Sequence, residues 1–271
     1  MPHRMPDAVL GTVVARLTAD AGALMHALQS ERGLSVMHVV SPERRRPLLE
    51  RSWTATDAAV SELLTALGRS HTVVPQGAIE PMGELRLLLE VRSCLRATIT
   101  ERQVSAREVV ARYSAIIGVL LAGLDECTSL AREPELARLF DAHRALMRAE
   151  EEASLARAYG TLMLVGLVPS GTPVLSRLLA SQQLHLAEFA AGASPRVRDV
   201  LHDRASQPSF QRAEQLERMA AAMGPRQEFL TTDEWYVTLT AKLRALREVD
   251  DLDATLLMEQ ASDGHYATAR W

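Results

Sequence analysis

Glu31 and Arg32 interrupt an apolar helical stripe, and the interruption recurs twice further along the chain. Leu10, Val13, Val14, Leu17, Ala21, Leu24 and Leu28 repeat at steps of three and four, the spacing of one helical face. Arg32 falls on that stripe four residues after Leu28, with Glu31 beside it and Gly33 and Ser35 following. A glycine there is expected to loosen or end the helix and to free backbone donors near Ser35. A second stripe, Leu139, His143, Leu146, Glu150, Ala153, Arg157, Gly160 and Leu164, turns His143, Glu150 and Arg157 inward. A third, Trp235, Leu239, Leu246 and Val249, carries Lys242 at the same spacing.

An unpaired buried charge is expensive, so each cation needs an anion close by. Two kinds of partner satisfy that need. Glu31, Glu150, Glu151 and Glu152 can pair with Arg32 and Arg157 in structural salt bridges, and Lys242 can snorkel. Alternatively the three cations converge, and their mutual repulsion is offset by a small anionic ligand among them.

Catalytic signatures are absent from the sequence. There is no Cys-x-x-Cys, His-Glu-x-x-His, Gly-rich phosphate loop or Gly-x-Ser-x-Gly elbow, the motifs that carry redox, metal, phosphate and acyl-transfer chemistry. His185 and Glu188 approach the Glu-x-x-His spacing of di-iron bundles without a second copy and read as surface. His38, His71, His202 and His265 have no ligand spacing. We therefore expect no catalytic residue, no metal and no cofactor.

These residues must be positioned by helices. The chain has 271 residues, 47% of them hydrophobic but only 4% aromatic, a mixture that favours helix over sheet. Pro134 suits a first helical position. Ser105-Ala-Arg-Glu108 and Thr231-Thr-Asp-Glu234 are capping boxes, and Thr54-Ala-Thr-Asp57 resembles one. Helices are expected over residues 10–32, 54–68, 84–102, 105–130, 135–166, 174–191, 209–222 and 231–262, with a short one near residue 200. The fold class expected is all-α, with two antiparallel four-helix bundles sharing long helices. Residues 1–262 are expected to form one all-helical unit and residues 263–271 a C-terminal tail.

The net charge of -4 excludes a general nucleic-acid binder. Cys94 and Cys127 stand far apart in no motif and read as buried thiols of a reducing compartment. No stretch reaches the length needed to span a bilayer, and residues 1–20 lack a signal-peptide core.

The segment Leu28-Gln-Ser-Glu-Arg-Gly-Leu-Ser35 resembles the opening signature of the nitrate- and nitrite-sensing domain family, Leu-Gln-x-Glu-Arg-Gly-x-Ser. Three further segments are similar to family blocks in the family's order: Leu48 to Val60, Glu150 to Ala158, and the Trp-led helix from Glu234 to Asp250. The resemblance implies a helical sensor that binds nitrate or nitrite between helices. Family members control an attached kinase, chemotaxis-type transducer, cyclase or RNA-binding antiterminator. It further implies that the anion-contacting positions fall on Arg32, Arg157 and Lys242, with Gly33 and Ser35 supplying further donors.

Departures from the family pattern are Glu150 for its Lys, Ser154 for its Gly, Ala156 for its Glu and Lys242 for its Arg. The last trades a planar fork for a point charge. The partners expected are nitrate or nitrite, a regulatory output protein or domain outside this chain, and a second copy as a candidate dimer mate. No direct nucleic-acid contact or membrane span is expected, and the location expected is cytoplasmic. The alternative to a sensor is a ligand-free helical scaffold, derived from one, that binds only proteins.

Overall fold

Two helices, near the N-terminus and in the middle of the chain, are buried over most of their surface, and the rest of the molecule is arranged to cover them. The computed structural model describes residues 7–41, 45–70, 84–169, 173–222 and 230–268, with side chains described from residue 9 to 262 of these. Helix α1 spans Asp7–Val40 and α2 Arg46–Ser70. Residues 84–90 form α3, followed by α4 (Arg92–Thr100), α5 (Ala106–Thr128) and α6 (Pro134–Leu164). Then come α7 (Pro173–Gly192), α8 (Pro195–Ser206), α9 (Pro208–Ala222) and α10 (Thr232–Thr268). No strand occurs among the described residues. The fold is all-α.

α1 packs against α2, α5, α6 and α10, and α6 packs against α1, α5, α7 and α10. A helix surrounded in this way has little solvent face, which explains why α1 runs through Leu24, Met25, Leu28, Val36 and Met37 with all five buried. α8 and α9 complete the cover on the α10 side. Three long helices, α1, α6 and α10, therefore meet one another in the middle of the chain's packing.

Local rules set the helix ends. α6, α7, α8 and α9 each open on a proline, whose missing N–H is no loss in a first turn. Ser105 Oγ accepts from the Glu108 N–H at 3.2 Å. At Thr231 the box is reciprocal: Oγ1 accepts from the Glu234 N–H at 3.2 Å, and Glu234 Oε2 accepts from the Thr231 N–H at 3.1 Å.

Five expectations are corrected. α1 continues through Gly33 to Val40, so Gly33 and Ser35 lie inside the helix and the Gly33 N–H is no free donor beyond its end. α2 begins at Arg46, because Leu49 and Ser52 already pack inward, which leaves Thr54 in mid-helix with its hydroxyl on the Glu50 carbonyl. The helix expected over 84–102 is interrupted at Val91. Cys94 is exposed, and only Cys127 is a buried thiol. α10 reaches Thr268, past the expected end near residue 262. His71 and residues 269–271 lie outside the described residues.

α6 and α10 are locked by one side chain. Trp235 is fully buried, and its Nε1–H donates to the Arg157 carbonyl at 2.8 Å. Its indole lies over Gly160, where an added β-carbon would overlap the ring. Only glycine permits this approach, so Gly160→Ala must push Trp235 or the α10 backbone outward. Overpacking of this kind costs about 1–3 kcal/mol. Thermal denaturation followed by circular dichroism should show a lowered midpoint, with the helical signal at low temperature retained.

Candidate functional site

Arg32 extends from α1 to α5 and α6, and Arg157 extends from α6 back to the same stretch of α1. Arg32 is 0% exposed. Its Nη1 donates to Glu151 Oε1 at 2.7 Å and to Ser114 Oγ at 2.9 Å. Its Nη2 donates to Glu151 Oε2 at 2.9 Å and to Ser154 Oγ at 2.8 Å. α1 is thereby clamped to α6 through a bidentate, charge-assisted pair and to α5 through a serine.

Arg157 is 3% exposed and makes a different set of contacts. Nη2 donates to the Gln29 carbonyl at 2.9 Å, and Nη1 donates to Thr240 Oγ1 at 2.9 Å. The guanidinium carbon stands 4.9 Å from the centre of the Tyr236 ring. No carboxylate pairs with Arg157 among the described residues. Burial pushes its pKa below the ordinary arginine value; Tyr236 and Glu151 oppose that shift, and the like charge of Arg32 adds to it.

Gly33 is what lets the arginine in. A β-carbon at Gly33 would lie 2.6 Å from Arg157 Nη2 and 3.2 Å from the Tyr236 ring. The glycine expected to end a helix instead gives the guanidinium of another helix a seat on the α1 backbone. Gln29 connects the two arginines, since its carbonyl accepts from Arg157 while its Nε2 donates to Glu151 Oε2 at 3.1 Å.

Glu31 faces the other way. Its Oε1 and Oε2 accept from Arg96 Nε and Nη2 at 2.7 and 2.8 Å, and Oε1 also accepts from the Tyr113 hydroxyl at 2.6 Å. Burial raises the Tyr113 phenol well above its ordinary range, and the neighbouring Glu31 charge reinforces the shift. Ser35, fully buried one turn beyond Glu31, lies beside Tyr113.

Lys242 is buried too, but in different company. Its ammonium donates to Glu217 Oε2 at 2.6 Å and to Gln182 Oε1 at 2.9 Å, and stands 5.4 Å from the Phe210 ring centre. It shares none of these partners with Arg32 or Arg157. Of the three inward cations, the structure brings two to one segment of α1 and assigns the third to the α7–α9–α10 contact. The expected surface pair is present, with His185 Nδ1 3.0 Å from the exposed Glu188 Oε2.

The sequence assigns no binding role to Gln29, Ser114, Thr240 or Tyr236, each of which touches one of the arginines or its carboxylate. Gln29 lies inside the Leu28 to Ser35 segment, and Tyr236 and Thr240 lie inside the Trp-led helix, so a search of those segments for hydrogen-bonding side chains would have found all three. Ser114 has no such signal.

The sequence profile of a family described as nitrate and nitrite sensing matches residues 23–255. A curated relative, the "Nitrate regulatory protein" of Klebsiella oxytoca, is 28% identical over 243 residues, which cover 87% of this chain and 60% of the relative. The chain thus spans about three-fifths of that relative's length. Among solved structures, one titled "Structure of the NasR transcription antiterminator" shares the fold, with a TM-score of 0.86 and 23% identity. The superposition covers 97% of this chain and 73% of that one.

The charge bookkeeping at Arg32 is open to measurement. Removing one partner of a buried ion pair leaves the other stranded, at a cost of about 3–5 kcal/mol, whereas replacing both by apolar residues is often close to neutral. Glu151→Met should lower stability by about that amount in urea denaturation in nitrate-free buffer. Adding Arg32→Met to it should restore at least half of the loss.

Proposed function

The chain belongs to the nitrate and nitrite sensing family, and from that premise we propose that it binds nitrate or nitrite against Arg157 and Arg32. It is a regulator and not an enzyme. The observation that carries the proposal is the Arg157 guanidinium, buried with no carboxylate of its own. Arg32 and Glu151 cancel, Arg96 and Glu31 cancel, and Arg157 is left as one uncompensated positive charge. A monoanion neutralises it. Nitrate is planar and accepts two parallel N–H bonds from a guanidinium edge. The Nε–H of both arginines has no partner among the described residues, so each keeps donor capacity on one edge.

Two or three charge-assisted contacts at about 1.5–3 kcal/mol each supply a gross energy comparable to the roughly 4–8 kcal/mol of millimolar to micromolar binding. Both arginines are sealed from solvent, so the anion reaches them only as helices part or as Glu151 yields a bond to Arg32. Binding is therefore coupled to a change in how α1 sits against α6 and α10, and that coupling is the signal. Gly33 supplies the room for Arg157, and Ser35 stands on the Glu31 side as a further hydroxyl. Lys242, held by Glu217, acts as the clamp of α10 rather than as a ligand. The output lies in a partner or domain beyond this chain. A cytoplasmic setting is in keeping with the two free cysteines and with the finding that no described helix is long and apolar enough to cross a membrane.

A ligand-free scaffold is favoured by the glutamate pairings of Arg32 and Lys242. Titration calorimetry with nitrate, nitrite and chloride separates the two. Nitrate or nitrite should release heat at micromolar to millimolar concentration, and chloride should not. Arg157→Met should abolish the heat with helical content kept, while Lys242→Arg should leave affinity within about threefold. Glu151→Gln, which frees a bond of Arg32, should tighten binding. A well-folded wild type silent to every oxyanion would establish the scaffold.

A further inference from the structure

Two turns along α6 from Arg157, a second set of buried groups has no part in the anion site. His26 on α1, Glu150 on α6 and Asp250 on α10 each offer a ligand atom, and the three atoms all lie within 4.8 Å of one another. The residues are 5%, 1% and 3% exposed. His26 Nε2 stands 2.5 Å from Glu150 Oε2 and 3.5 Å from Asp250 Oδ2. Behind them, His143 Nδ1 is 2.9 Å from Asp253 Oδ2 and 3.6 Å from Asp250 Oδ1.

The charges of this cluster do not balance. Three carboxylates (Glu150, Asp250, Asp253) face two imidazoles (His26, His143), so with the carboxylates ionised one negative charge remains even when both rings are protonated. Arg247, also felt at His26, is solvent-exposed. Glu150 Oε1, Asp250 Oδ1 and His26 Nδ1 are buried with no hydrogen-bond partner among the described residues. Buried carboxylate oxygens without donors are satisfied by a proton, a water or a cation, and here an imidazole nitrogen faces the same gap.

We propose that His26, Glu150 and Asp250 form a site for a divalent transition-metal cation that ties α1, α6 and α10 together. One imidazole nitrogen with two carboxylates suits ions such as Zn²⁺, Co²⁺ or Mn²⁺, whereas Ca²⁺ and Mg²⁺ prefer all-oxygen shells. With bonds of about 2.1 Å, ligand atoms lie about 3–3.4 Å apart. The His26–Asp250 separation already fits, and the His26–Glu150 hydrogen bond must open by less than about 1 Å. On binding, the proton between His26 and Glu150 passes to water. The ring is then neutral, the two carboxylates cancel the ion's charge, and His143 with Asp253 forms a neutral pair that orients Asp250 from outside. Gly22 leaves space on α1, where a β-carbon would lie 3.4 Å from Asp250 Oδ2. The proposal is independent of nitrate binding.

The test is titration of chelator-stripped, desalted protein with CoCl₂, followed by visible absorption, and with ZnCl₂ by calorimetry. A single equivalent should bind. Affinity should fall at least about tenfold in His26→Gln and in Asp250→Asn, and should be unchanged in the double substitution His185→Gln/Glu188→Gln of the surface pair. Should the buried variants fail to fold, histidine side-chain NMR of the wild type decides. A Zn²⁺-dependent shift of the His26 resonances supports the site, and shifts confined to other histidines overturn it. Folded wild type that takes up neither ion at about 1 mM, or uptake that survives both buried substitutions, also overturns it.

Discussion

A guanidinium without a carboxylate is tolerated in a protein interior only where dipoles and rings take the place of the missing charge, and Arg157 is held in that way. It rests on a carbonyl of α1, a hydroxyl of α10 and the face of Tyr236. Each of these stabilises positive charge without cancelling it, so the surrounding field stays positive. The packing of α1, α6 and α10 depends on this residue twice. Its side chain bridges the other two helices, and its backbone carbonyl receives the Trp235 indole that seats α10 on Gly160. A change in the electrostatic state of Arg157 is therefore a change at the crossing of the three longest helices.

Pairing state distinguishes the inward cations more than position does. A buried ion pair contributes little net stability, because desolvation offsets attraction, but it makes loss of either partner costly. Lys242 with Glu217 and Gln182 is such a fixed fastening. Arg32 with Glu151 has the same form but a different context. Glu151 also accepts from Gln29, whose carbonyl holds Arg157. Glu151, Gln29 and the two arginines therefore form one connected network, in which weakening one bond redistributes the others. On the proposed function, an anion entering beside Arg157 would compete with Glu151 for Arg32, and ligand and carboxylate would then have opposite preferences for helix spacing.

Much of the fold was legible because helix signals are local. Ser105, Thr231 and Pro134 mark helix starts by chemistry that acts within one turn. The inward position of Arg157, Glu150, His143 and Lys242 followed from steps of three and four. What failed on α1 did so for one physical reason: stripe logic assumes a solvent face, and α1 has almost none. His26 lies two residues from both Leu24 and Leu28, off the expected stripe, and is nonetheless 5% exposed because α2, α5, α6 and α10 surround it. Gly33 misled in the same way, since a glycine inside a helix signals a stop unless another chain must come close, and the approach of Arg157 cannot be read from α1 alone. Which carboxylate meets which cation is likewise a property of helix rotation. Spacing offered Arg32 four glutamates, and the structure selected Glu151.

The two buried clusters carry opposite excess charge on the same three helices. Around Arg157 one positive charge is left over, and around Asp250 one negative charge is left over. They do not neutralise each other by contact, because separate hydrogen-bond partners hold each in place two turns apart along α6. An interior that kept both imbalances for stability alone would be poorly designed, since apolar packing at either level would hold the helices at lower cost. Their persistence at one crossing is better explained if each is met by a counter-charge from outside the chain, an anion at one level and a cation or proton at the other. Relief of either imbalance then favours its own spacing of α1, α6 and α10, and a shared set of helices makes the two levels interdependent without any contact between their ligands.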